Sequence, residues 1–109
     1  MKGGIVILEW RPVERGSLCG FAKVQVPAWR VTIAGVALHR RDGRAWAQLP
    51  SRPMLDGNRQ LMLDENGKPK YSRVLEFTDR EIADRFSEAV VAAVDRFAGA
   101  RERVESGAF

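Results

Sequence analysis

Arg40, Arg41, Arg44 and Trp46 stand within seven residues of one another, and Arg52 follows between Pro50-Ser51 and Pro53. A guanidinium can pair with a phosphate through two parallel N–H donors, and an indole can stack on an unpaired base. Cations interleaved with an aromatic ring therefore suggest binding of nucleic acid rather than bond-making chemistry. Lys68, Lys70 and Arg73 around Tyr71 repeat the combination. The expected contact set is Arg40, Arg41, Arg44, Trp46, Arg52, Lys68 and Lys70. Arg52 leads it, because flanking prolines stiffen its loop and lower the entropy lost on binding. Trp10 and Trp29 read as core or interface anchors instead.

Catalytic chemistry finds little support. His39 is the one histidine and sits beside two arginines, with no nucleophile or orienting carboxylate placed by a motif. Cys19 lies in a strand-like run and reads as a small buried hydrophobe. One Cys and one His cannot make a zinc spacing. Asp64-Glu65-Asn66-Gly67 lacks the further oxygen ligands of a calcium loop, and Gly3-Gly4 fits no phosphate or dinucleotide fingerprint. The expectation is a non-enzymatic protein with no catalytic residue, cofactor or metal.

The elements that must carry these side chains follow from punctuation and period. Ile5 to Trp10, ended by Arg11-Pro12, and Leu18 to Val26 read as a strand pair joined by a turn. Trp29 to Arg40 reads as a central strand with Gly35 marking a bulge. Its two alternations are both apolar, and one helix covers one face, so a second protomer is the expected cover of the other. Asp42-Gly43 favours a two-residue turn into a fourth strand, Arg44 to Leu49. There Ala45, Ala47 and Leu49 share one face, and Arg44, Trp46 and Gln48 share the other. Residues 50 to 70 form a long excursion with one small hairpin, Tyr71 to Phe77 returns as a short strand, and no internal repeat is evident. Thr78-Asp79-Arg80-Glu81 reads as a capping box opening a helix to about Ala98, with Gly99 as its stop. Ile82, Phe86, Ala89, Val90, Ala93, Val94 and Phe97 give that helix an apolar stripe. The expected architecture is α+β: a small antiparallel sheet of four to five strands with one long C-terminal helix packed on it. Residues 1 to 100 make one domain, and 101 to 109 a flexible tail.

Charge is sorted along the chain. Between residues 11 and 73, twelve Lys and Arg stand against five acids, whereas from residue 74 onward five Arg stand against eight acids. A basic half implies a partner of opposite charge: nucleic acid, DNA or RNA, as the first reading, an acidic protein as the alternative. A lone cysteine and an apolar N-terminal run too short for a signal segment fit a cytoplasmic protein, and no window approaches the ~20 apolar residues of a membrane span.

At Trp46-Ala47-Gln48-Leu49-Pro50-Ser51-Arg52-Pro53 the chain resembles the SpoVG (septation protein, stage V sporulation protein G) family, which has a strand leading into a Met-Pro-Ser-Arg/Lys segment, then a Gly-containing loop and a C-terminal helix. Residues 5 to 98 follow a similar order, with Asp56-Gly57 in the loop. The resemblance implies a small α+β fold, a homodimer built through strands and a bacterial nucleic-acid-binding regulator. The family's His-Pro-Ile segment is absent, and the helix here is net acidic where the family's DNA contacts lie near a basic one.

Overall fold

The computed structural model describes residues 4–107. Four strands form an antiparallel meander, β1 (Val6–Arg15), β2 (Leu18–Val26), β3 (Val31–Arg41) and β4 (Arg44–Gln48), hydrogen-bonded in sequence order. A two-stranded ribbon, β5 (Ser51–Pro53) with β6 (Tyr71–Arg73), leads to the helix α1 (Arg80–Gly107). The α+β architecture expected from the sequence is the one found.

Alternation assigns the two faces of the sheet. Ala22, Val24 and Val26 of β2 and Ile33, Val36 and Leu38 of β3 are buried on one side. Phe86, Val90, Ala93 and Val94 of α1 lie against them at helical spacing, so these residues and Ile5 and Ile7 make one core. No polar or charged residue is buried among the described residues. The core is therefore a dry seam between one sheet face and one helix stripe. Ser87 donates no apolar area, but its Oγ accepts the Ala47 N–H at 2.8 Å and so ties the helix to the outer edge of β4.

Glycines mark the close approaches. Gly35, with φ of +78°, sits where Ala22 pairs with Val36 but Val24 pairs with Ile33, which is the expected bulge. Gly20 is packed under the Trp10 ring: a Cβ there would lie 2.6 Å from the Arg11 carbonyl oxygen and from Trp10 Cη2. Trp10 is thus a core anchor.

Several boundaries differ from expectation for definable reasons. Pro12 does not end β1, because β1 is an edge strand and the missing N–H costs no ladder bond on its outer side. Trp29 belongs to a single 3-10 turn, Pro27–Trp29, and β3 begins after Arg30 reverses the chain at φ +53°. The helix is capped by Asp79, not Thr78: its Oδ1 accepts from the N–H groups of Glu81 (2.8 Å) and Ile82 (3.3 Å). Gly99 does not stop α1, which runs on to Gly107; of the expected tail, Ala108 and Phe109 lie outside the described residues.

The excursion between β5 and β6 holds two turns where one hairpin was expected, and they repeat with a period of eight residues. In each, an aspartate Oδ1 accepts two backbone N–H groups: Asp56 from Asn58 and Gln60, Asp64 from Asn66 and Lys68. The positive-φ position falls on Arg59 in the first and Gly67 in the second. The two turns and the β5–β6 stem meet in a closed ring of backbone bonds, Met54 N–H to Lys70, Lys70 N–H to Met62 and Met62 N–H to Met54, each 2.8–2.9 Å. The repeat, Met-Leu-Asp-x-Asn at 54 and at 62, is visible in the sequence once its hydrogen bonds are known.

Two outcomes follow. Gly20→Ala, which drives a Cβ into backbone and indole, should lower stability by about 1–3 kcal/mol. That is a fall of several degrees in Tm for a domain of this size. Gly57→Ala, which meets open space, should leave Tm within about 0.5 kcal/mol equivalent. For pH, the Lys68 N–H bond to Asp64, aided by that of Asn66 and the charges of Lys68 and Lys70, outweighs desolvation and holds the Asp64 carboxyl below the usual carboxylate range. A depressed folded pKa means the turn is stabilised above the ordinary value of about 3.9 and loses that contribution as pH falls through the lower folded value. An NMR titration of the Asp64 carboxyl should show a midpoint below that of an unfolded-state aspartate, with the Lys68 amide moving in step.

Candidate nucleic-acid interface

The side of the sheet turned away from α1 is uncovered, and register shows what lies on it. Trp10, Ala22, Leu38 and Ala47 point toward the core, so their neighbours in sequence point outward. One row across the open face is Arg11, Phe21, Ala37 and Gln48; the next joins His39 to Trp46. Beyond it, Arg41 pairs with Arg44 at the turn, and on the other side Glu9 pairs with Lys23. The face carries Arg11, Lys23, Arg41 and Arg44 against Glu9. None of these four cations has a carboxylate partner among the described residues.

At its centre His39 and Trp46 stack, with ring planes 7° apart and centroids 5.4 Å apart. A hydrogen bond of 3.0 Å between Ser17 Oγ and His39 Nδ1 holds the imidazole. Trp46 is half-buried, so one indole face rests on the imidazole and the remainder meets solvent. The turn that brings Arg41 beside Arg44 has positive φ at both central residues, Asp42 at 52° and Gly43 at 78°, as a type I′ turn requires.

The seven residues expected to form the contact set are therefore divided. Arg41, Arg44 and Trp46 share the open face. Arg40 points the other way, toward α1, and its guanidinium donates to Asp95. Arg52 is on β5 opposite Ser72, exposed and without an ion-pair partner among the described residues; Asp56, a candidate carboxylate for pinning it, is occupied by its own turn. Lys68 closes the second turn, and the Lys70 backbone belongs to the three-way junction. Arg11, Phe21, Lys23, His39 and Gln48 join the face without having been singled out as contacts. The alternation of β2, with Gly20, Ala22, Val24 and Val26 buried and Phe21 and Lys23 between them, carried that signal.

The second alternation of β3 supplies Thr32, Ala34, Ala37 and His39, and Val6 and Leu8 of β1 are exposed as well. No family model, curated protein or solved structure matches this chain. No helix among the described residues is long and apolar enough to cross a membrane, and no cluster among them has the composition of a metal site.

The Arg40–Asp95 pair joins β3 to α1 at the surface, both side chains about half exposed. A double-mutant cycle on Arg40→Ala and Asp95→Ala should give a coupling of about 0.2–1 kcal/mol that shrinks as salt is added.

Proposed function

We propose that this protein is a non-catalytic module that binds nucleic acid on the open face of its sheet. The observation that carries the reading is a surface with four cations, none with a carboxylate partner among the described residues, and one carboxylate, arranged around a stacked His39–Trp46 pair. Arg41 and Arg44 meet phosphates at the turn, Arg11 and Lys23 extend the cationic track across β1 and β2, and Trp46 and Phe21 offer rings on which unpaired bases stack. Arg52, Lys68 and Lys70 lie on the excursion beside this face and lengthen its electrostatic reach. The resemblance to the SpoVG family at Pro50-Ser51-Arg52 supports the same reading, that of a cytoplasmic bacterial regulator. The acidic face of α1 argues for the sheet over the helix as the contact surface.

A second reading is that the protein is a homodimeric or assembly module, whose basic surface meets an acidic protein. Leu55, Leu61, Leu63 and Tyr71 on the excursion favour it, each about half exposed among the described residues.

A salt series separates the two. Binding of a single-stranded oligonucleotide should weaken linearly in log salt, with a slope of about −0.7 per phosphate contact. Arg44→Ala should reduce that slope by about one contact while leaving Tm unchanged. Trp46→Ala should cost about 1–3 kcal/mol of affinity at every salt concentration. Absence of binding to single strands and duplexes at low salt would favour the protein-interaction reading.

A further inference from the structure

At the end of the open face β4 turns into β5, and there the structure has a cleft of about 360 Å³ between β4, the β5–β6 ribbon and the first turns of α1. Its inner wall is apolar: Leu49, Phe77 and Phe86, the last two with ring centroids 5.2 Å apart. Its rim carries the polar side chains of Gln48, Ser51, Glu76 and Arg73, the last two paired with each other, beside Tyr71 and Leu75. A concave site of this size, with an aromatic floor and a few convergent hydrogen-bonding groups, has the character of a small-ligand pocket.

We propose that this cleft takes one nucleobase of a single strand lying on the sheet, and that it selects bases carrying an exocyclic amino group. The inference rests on the interface reading above and adds a place and a preference to it. Continuity supplies the occupant. Gln48 belongs both to the cleft rim and to the row Arg11, Phe21, Ala37, Gln48 of the open face, and it lies two residues, about 7 Å along the strand, from Trp46. Ala47 and Leu49 turn the cleft toward the helix side, so a strand whose backbone follows Arg44 and whose bases stack on Trp46 reaches it by passing over the edge of β4 at Gln48. Charge supplies the rest: Arg52, without an ion-pair partner among the described residues, stands on β5 next to the rim residue Ser51, while the floor offers apolar surface to a planar ring.

The preference comes from Glu76. One carboxylate oxygen, Oε2, accepts from Arg73 Nη1 at 2.6 Å, and Oε1 has no partner among the described residues. A free carboxylate oxygen accepts from the amino group of cytosine or adenine. Facing the carbonyl of thymine or uracil at the same position, it repels. Arg73 orients the carboxylate through that one bond and leaves Oε1 facing outward as an acceptor. Ser51 and Gln48 can each donate or accept and so complete the base's edge.

Short oligo(dC) and oligo(dT), compared by fluorescence anisotropy at neutral pH, test this directly. The two pyrimidines differ at the group Glu76 would read. Wild-type protein should bind oligo(dC) about tenfold tighter, the worth of one hydrogen bond to a charged acceptor. Glu76→Ala, at an exposed position, should bring the ratio to unity without weakening oligo(dT), because it also frees Arg73. Ala83→Trp, which fills the cleft from the helix side, should do the same, with Tm verifying the fold. Equal affinity of the wild type for both oligonucleotides, or a preference that survives Glu76→Ala, overturns the pocket while leaving the interface standing. Binding to neither overturns both.

Discussion

Everything in this molecule depends on one helix covering one side of one sheet. The buried residues fall in a single seam, with Val24, Val26, Val36 and Leu38 from the strands and Phe86, Val90 and Val94 from the helix among the most completely enclosed. At about 25 cal/mol per Å² of apolar area removed from water, such a seam dominates the favourable side of folding. No second helix among the described residues covers the other face, whose outward positions carry Arg11, Lys23, Arg41 and Arg44 together with the stacked rings of His39 and Trp46. A surface chosen to be wet, cationic and partly aromatic is the type of surface a nucleic acid strand can use.

The same constraint explains the division of the basic hairpin. Adjacent residues on a strand point to opposite sides, so Arg40 and Arg41 cannot serve one surface. Arg41 stays with Arg44 and Trp46 on the open side, and Arg40, turned toward the helix, meets Asp95. The helix therefore uses one of its acids to anchor itself to the sheet. Glu81 pairs with Arg85 one turn further along the helix, both side chains exposed.

The parts of this arrangement that were legible in the sequence are those set by local rules. Asp42-Gly43 dictated its turn, Gly35 its bulge, and the alternation through Ala45, Trp46, Ala47 and Leu49 correctly assigned the faces of β4. The helix was readable from its apolar period, while its cap was displaced by one residue because Thr78 and Asp79 are both competent acceptors and nothing local chooses between them. What could not be read was non-local. The ring of bonds among Met54, Met62 and Lys70 joins backbone groups eight and sixteen residues apart and leaves no trace of strand or helix period, since the segment buries almost nothing. The pairing of His39 with Trp46 depends on a register fixed by the turn, and the pairing of Arg40 with Asp95 on where the helix lands.

The open sheet face is proposed to meet a nucleic acid strand, and an amide and indole chemical-shift map of the labelled protein titrated with a single-stranded oligonucleotide tests it. The perturbed signals should trace the outward rows, Arg11, Phe21 and Lys23, then His39 and the Trp46 indole, then Arg41 and Arg44, with the exposed face of α1 unchanged. Perturbations confined to α1, or to Leu55, Leu61 and Leu63 on the excursion, would contradict it.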